Sequence, residues 1–327
     1  MKTGKSFKVD LKGNEIRSLC WIGNELVDIA GGYKRISPET GDIAHGSVSW
    51  GYRFDSVASS VGGDYVVLSE RFGTKALLLK YGQIVREINR SYYHADVYEY
   101  PIAFLAHESE PLKIAHCPDG YNVLQIEDFE TGEVIDWKDG EPTDFFHSRL
   151  QLSPNGRWLL SAGWIWHPLD AIELFDLSVE PPKRYTPFWN GNLPDIGLWE
   201  VNNAIFLPDS NLLMSGTGDQ DKEDGSDEIS LVVFDTEALE IRFRSVLDAP
   251  TGSMFAVDGN HALAFYEYPR LLDIHSGSVV ASWPTISTDK TNSSISFHDT
   301  KVKIAVDTVN RRFAVANEDT LTIASID

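Results

Sequence analysis

An all-β, seven-bladed β-propeller is the fold this sequence predicts. Two recurring turns and one stray strand predict it. Strand-turn-strand copies recur roughly every 45 residues along the 327-residue chain, and a period of about 40–45 residues with four short strands per unit marks propeller blades. The clearest copy is Leu152-Ser153-Pro154-Asn155-Gly156-Arg157-Trp158-Leu159-Leu160-Ser161-Ala162-Gly163, followed after a variable loop by Ile172-Glu173-Leu174-Phe175-Asp176-Leu177.

Taken in chain order, the turn between the first two strands of each unit reads Gly23-Asn24-Glu25, Gly62-Gly63-Asp64, Glu108-Ser109-Glu110, Pro154-Asn155-Gly156, Pro208-Asp209-Ser210, Asp258-Gly259-Asn260 and Val309-Asn310-Arg311. Seven turns imply seven four-stranded antiparallel blades. Gly, Asn and Asp recur there because short hairpin turns need positive φ or a side chain that closes on its own backbone. The flanking strands alternate apolar and polar residues, as with Val66 and Leu68, then Ala76 and Leu78. A second turn joins the last two strands: Pro38-Glu39-Thr40-Gly41, Glu130-Thr131-Gly132-Glu133, Asp235-Thr236-Glu237-Ala238 and His275-Ser276-Gly277-Ser278.

This second turn resembles the one after the third strand of WD40-type repeats, and the resemblance extends over nearly the whole chain. Phe175-Asp176 and Phe234-Asp235 stand where such repeats carry Trp-Asp, and the Gly-His dipeptide is absent. The last unit supplies only three strands, around Lys303 to Val306, Phe313 to Ala316 and Leu321 to Ile326. Ser6 to Leu11 reads as a lone strand ahead of blade one. The N-terminal strand is therefore expected to join the last blade and close the ring, which removes a free sheet edge. One domain spanning residues 1–327 is expected.

Composition narrows the function classes. The chain carries 28 Lys and Arg against 49 Asp and Glu, a formal net charge of −21. Such a charge repels nucleic acid and anionic membranes and attracts basic partners. No run of 18 or more apolar residues encodes a membrane span, and the basic Met1-Lys2-Thr3-Gly4-Lys5 start lacks the apolar region of a secretory signal. Cys20 and Cys117 lack metal-ligand spacing and read as buried, reduced thiols, so a cytoplasmic location is expected.

In a propeller the turns between strands one and two and between strands three and four share one face, and they are terse here. The other face collects the two-three loops and the blade-to-blade connections, which here are long and aromatic. They hold Trp50, Tyr52, Tyr92, Tyr93, Trp164, Trp166, Trp189, Trp199, Tyr266 and Tyr268. Tyr and Trp dominate binding hot spots, so this face is the expected contact surface. It also carries the acidic run Asp219, Asp221, Glu223, Asp224, Asp227 and Glu228. The run departs from a calcium loop, because Gly225 falls at the seventh position instead of the sixth and Ser230 occupies the twelfth, where a glutamate is required. It reads as a solvated loop or an acidic finger for a basic partner.

Polar residues entering the innermost strands are Asp55, Glu99, His147, Arg149, Glu200, Asn202 and the pair His298-Asp299. Lactonase-like propeller enzymes gather carboxylates, Asn and His around a metal at that place, which makes Asp55, His147, Glu200 and Asn202 the ligand set if the chain is an enzyme. No Gly-x-Ser-x-Gly elbow, HExxH or phosphate-binding glycine loop is present. The expectation is therefore a non-enzymatic propeller without cofactor that binds another protein, basic in character. The chain resembles bacterial stand-alone propellers, and an immunity protein covering a toxin or effector is one form of that reading. A metal-dependent lactonase or hydrolase and a glycan-binding propeller are the alternatives.

Overall fold

The computed structural model describes residues 2–3, 5–60, 62–105, 112–135, 143–187, 191–218, 228–296 and 302–326. Every regular element among them is a strand, and the strands form seven sheets in chain order. Blade one holds Cys20–Ile22, Glu25–Asp28, Lys34–Ile36 and Ile43–Ala44. Blade two holds Ser56–Ser59, Tyr65–Ser69, Lys75–Lys80 and Gln83–Asn89. Blade three holds Ile102–Leu105, Lys113–His116, Gln125–Asp128 and Val134–Ile135. Blade four is built on the long pair Trp158–Ile165 and Leu169–Asp176, with Lys183–Tyr185 outside and an innermost strand in two pieces, Phe145–Phe146 and Gln151–Leu152. Blade five holds Glu200–Phe206, Leu212–Thr217, Ile229–Asp235 and Glu240–Val246, and blade six Met254–Ala256, His261–Ala264, Arg270–Asp273 and Val279–Ser282. The last sheet contains Lys303–Asp307, Arg312–Ala316 and Thr320–Ser325.

The predicted turns explain themselves chemically. The aspartate ending the third strand closes the following turn: Asp128 Oδ1 accepts from the Glu130 and Thr131 amides, Asp235 Oδ1 from Glu237 and Ala238, and Asp273 Oδ1 from Ser276. These amide donors hold all three carboxyls below their ordinary values. In the first turn of blade four Gly156 takes a φ of 73°, and Ser210 occupies the same left-handed position in blade five at 67°. Six of the seven predicted first turns lie between their strands, and the Glu108-Ser109-Glu110 turn lies outside the described residues.

The apolar core is distributed around the ring, with one cluster between each blade and the next. Leu160, Leu174, Phe206 and Met214 pack between blades four and five, and Leu231, Val233, Ala262 and Leu272 between five and six. Corresponding clusters fill the other five junctions. Cys117 is buried in the three-four junction, whereas Cys20 is only half-buried; both are free thiols, and burial pushes that of Cys20 up to about 12.

Ring closure follows the sequence reading. Ser6–Asp10 pairs antiparallel with Thr320–Ser325, Ser6 opposite Ala324 and Asp10 opposite Thr320. Val9 and Leu11 enter the cluster between blades seven and one beside Leu26, Leu321 and Ile323. A further tie was not anticipated: Lys2–Thr3 runs parallel to the outer strand of blade six, with Lys2 opposite Ala281.

One strand assignment differs from the sequence expectation. Trp164, expected in a loop, lies inside the second strand of blade four, because that hairpin extends unbroken to a tight turn at Trp166-His167-Pro168. Gly163 lets the innermost strand cross closely there, since a Cβ at this position would lie 1.9 Å from the Phe146 carbonyl oxygen.

Deleting residues 1–12 should expose the seven-one core as well as a sheet edge. Losing two buried side chains at about 1.5–3 kcal/mol each, plus the ladder, corresponds to a fall in Tm of roughly 10 °C or more. A truncated protein that melts at the full-length temperature in a calorimeter would show that the closure carries no stability.

Candidate functional site

The extended hairpin of blade four raises a cluster of rings onto the long-loop face. Phe146 lies between two rings, stacked on Trp164 at 3.8 Å and 9° on one side and on Tyr121 at 4.1 Å and 23° on the other. Tyr93 continues the array, 5.1 Å from Tyr121, while His94 and Trp166 meet at 5.2 Å. Tyr98 closes the base edge-on to Phe146. Each such contact contributes about 0.5–1.5 kcal/mol beyond area burial, so the array is a rigid platform. Burial and the adjacent Asp144 carboxylate push the Tyr121 phenol up, keeping it a neutral donor to Asp144 at 2.6 Å.

The platform divides into support and display. Trp164 is 2% exposed and Phe146 1%, so both act beneath the surface. Tyr92, Tyr93 and Trp166 are 84%, 47% and 44% exposed. The structure thus brings Tyr93, Trp164 and Trp166 together, with Tyr92 adjoining Tyr93, and adds Tyr121, Phe146 and His94. Trp50 belongs elsewhere: it donates to the Ile29 carbonyl at 2.9 Å and packs on Tyr33, anchoring its own loop. Tyr52 is exposed beneath the Lys75 ammonium at 5.5 Å, and Trp199 is exposed before blade five. Tyr266 and Tyr268 are half-buried on the blade-six hairpin, where the Arg270 guanidinium sits over Tyr268. Trp189, Asp219, Asp221, Glu223, Asp224 and Asp227 lie outside the described residues, as does the pair His298-Asp299. Of that acidic run only Glu228 is among the described residues, and its carbonyl accepts from the Gly218 amide.

A strap from the connection between blades six and seven crosses the same face. Thr288 donates to the Glu267 and Phe265 carbonyls, and Asn292 accepts from the Gly252 amide, which fixes its near end to blade six. Its far end reaches blades three and four on the opposite side of the ring. There Ile295 bridges Tyr98, the Ser296 amide donates to Val97 at 2.7 Å, and Ile295 packs under the aromatic platform. Asp170, buried in blade four, is the latch: Ser294 N and Oγ donate to its Oδ1 at 2.8 and 2.5 Å, and Asn202 Nδ2 to its Oδ2 at 3.2 Å.

Beside the strap, the half of the mouth formed by blades seven, one and two opens as a cleft of about 800 Å3. Arg71 donates to Glu99 at 2.5 Å and Lys303 to Asp55 at 3.5 Å across its floor, while Arg17 and Arg53 share Glu15 at the rim. Burial alone would raise the Glu99 carboxyl, but Arg71, Arg149 and Lys303 together hold it low. Glu99 and Arg149 line the central channel with Arg71, which comes from the blade-two hairpin, and Asp55 lies in the adjoining cleft.

The set named for a metal does not converge. His147 turns into blade four between the rings of Phe145 and Phe175 with Nδ1 3.1 Å from Ser161 Oγ. Glu200 accepts from the Asp170 amide, Asn202 serves the latch, and Asp55 is across the channel with Lys303. Among the described residues no group of three or more His, Cys, Asp or Glu is placed to hold a metal ion.

Among solved structures the chain is similar to a propeller, the Kuenenia stuttgartiensis Hydrazine Synthase, at a TM-score of 0.63 and 11% identity over 98% of this chain and 98% of that chain. At that identity the likeness shows the fold alone. No protein-family model and no curated protein matches the chain, and no helix among the described residues is long and apolar enough to cross a membrane.

Two measurements probe this construction. Asp170→Ala strands three buried donors, at about 1–3 kcal/mol each, so amide exchange at Ser294 and Ser296 should accelerate while the blade cores stay protected; unchanged exchange would deny Asp170 the latch role. Burial, then the nearby Arg184, lowers the His147 pKa from 6.5 to about 3. Because the unfolded chain takes up the proton first, stability should fall as pH drops below 6.5, by up to about 1.4 kcal/mol per pH unit. A His147→Gln variant should show a flatter acid limb in denaturant titrations.

Proposed function

We propose that this propeller is a protein-binding module whose long-loop face docks a basic partner on the aromatic platform of blades three and four. The observation that carries this reading is the braced display of Tyr93 and Trp166 over the Tyr121-Phe146-Trp164 stack, with the exposed Tyr92 next to Tyr93 in the chain. Exposed aromatic side chains held by buried ones lose little entropy on binding, which is what an interface anchor needs. The rings supply affinity, and the net charge of −21 supplies attraction at a distance for a basic surface. The carboxylates of Asp219, Asp221, Glu223, Asp224, Asp227 and Glu228 add to that attraction through their share of the net charge.

The test is capture of a partner from the native host followed by binding measurements with the purified pair. Tyr92→Ala and Trp166→Ala should each weaken binding by about 2 kcal/mol, roughly 30-fold, mainly through faster dissociation. Val309→Ala on the turn face should have no effect. Neutralising the acidic run, or raising salt, should slow association and leave dissociation nearly unchanged. Binding indifferent to both aromatic substitutions would remove the platform from the interface.

A further inference from the structure

Around the ring the chain covers aromatic side chains with its own cations. The Arg312 guanidinium lies 3.9 Å from the Trp21 centroid, and Arg157 and Lys183 lie over Trp158 and Tyr185. Even the exposed tyrosines Tyr52 and Tyr81 are covered, by Lys75 and Lys80. The displayed rings of the platform differ. Among the described residues no Lys or Arg stands over Tyr93 or Trp166, which are 47% and 44% exposed. Arg90, at the base of the platform, is turned inward. It lies over Tyr98 at 4.5 Å and donates to the carbonyls of Gly73, Ala95, Tyr98 and Glu99.

A carboxylate stands beside these uncovered rings. Asp144 is exposed, and its Oδ1 accepts from the Tyr121 phenol, whose ring is 5.1 Å from that of Tyr93. Among the described residues no Lys or Arg pairs with it. Tyr93 and Trp166 are both close to parallel with Phe146, at 17° and 24°, so the platform is a set of similarly oriented flat faces. Flat faces with a carboxylate alongside are the two halves of a guanidinium site, because that cation is planar, stacks on rings and donates in its own plane to carboxylates. An ammonium is a compact, strongly hydrated charge without such a plane. An apolar anchor would take Asp144 from water with nothing to neutralise it, and the field of a chain with net charge −21 repels an anion. We propose that the partner's anchor is an arginine side chain, its guanidinium stacked on the Tyr93 ring and its charge met by Asp144; this rests on the reading of the platform as a docking face.

Isothermal titration of the full chain at physiological ionic strength tests this with a capped Gly-Arg-Gly-Arg-Gly peptide, beside the same peptide carrying citrulline, lysine or leucine in place of arginine. The arginine peptide should bind. Citrulline, which keeps the planar shape without the charge, should weaken binding by about tenfold or more, and lysine by about threefold or more. Tyr93→Ala and Asp144→Asn should each weaken the arginine peptide by about fivefold or more. Asp144→Asn leaves an acceptor for the Tyr121 phenol, so it serves if Tyr93→Ala does not fold, and it should narrow the gap between arginine and citrulline. The proposal is overturned if the arginine peptide does not bind, or if the citrulline or lysine peptide binds equally well. Binding that survives both variants would mark diffuse attraction to the net charge and equally overturn it. A leucine peptide that binds in preference and is lost in Tyr93→Ala would overturn the arginine anchor while leaving the platform as a docking face. The docking reading itself falls on the separate result that the captured partner is indifferent to Tyr92→Ala and Trp166→Ala.

Discussion

Everything in this molecule rests on the pairing of Ser6–Asp10 with Thr320–Ser325. The core is divided among seven junctions, each contributed by two neighbouring blades, so no blade buries its own apolar faces. A ring of this kind has no uncovered face only if it closes. The seam between blades seven and one is accordingly reinforced: Val9 and Leu11 enter the junction, Trp21 Nε1 donates to the Ala305 carbonyl across it, and the Arg312 guanidinium lies 3.9 Å from the Trp21 ring centroid. The parallel contact of Lys2–Thr3 with blade six carries the same segment over a second junction.

Closure is also what allows the loop face to be built across the ring. A strap joining blade six to blades three and four holds its shape only if the blades at both ends keep their distance. Asp170 and the Tyr98-Ile295 bridge depend on that constancy. Ile295 then forms part of the base of the aromatic platform, while residues a few positions earlier line the channel. Platform and channel therefore share one covalent segment.

Local chemistry made the scaffold legible. Turn residues with positive φ, aspartates that close the next turn and a surplus N-terminal strand are all short-range signals, and the blades and their closure follow from them. The division into a terse and a long-loop face holds only for the blade-to-blade connections, because the two-three loops of blades four and seven are tight turns at 166–168 and 317–319. What escaped was set by contacts between distant segments. Nothing around Phe146 or Tyr121 in the sequence indicates that they stack, because they arrive from different connections. Trp164 passes for a loop residue because small residues precede it, whereas here Gly163 permits close strand crossing and the hairpin continues. The strap is a Ser, Thr and Asn stretch without periodicity, which carries no pattern until its partners are in place. Arg71 lies on a two-three hairpin, away from the strand entries where channel residues are sought.

The distribution of charge gives the face its direction. The wall of the channel is balanced, and the cleft beside it sets Arg17, Arg53, Arg71 and Lys303 against Glu15, Asp55, Glu70 and Glu318. Buried or confined acids are thus neutralised where desolvation would make them costly. The excess of acids must then be carried outside these cavities, where water and salt screen it at short range but leave it able to steer an approaching protein. On the proposed reading an approaching basic surface would be drawn by this outer charge and would meet, at blades three and four, a platform of rings whose supports are already packed. Attraction and grip would on that reading fall to different residues, so that one could change without loss of the other.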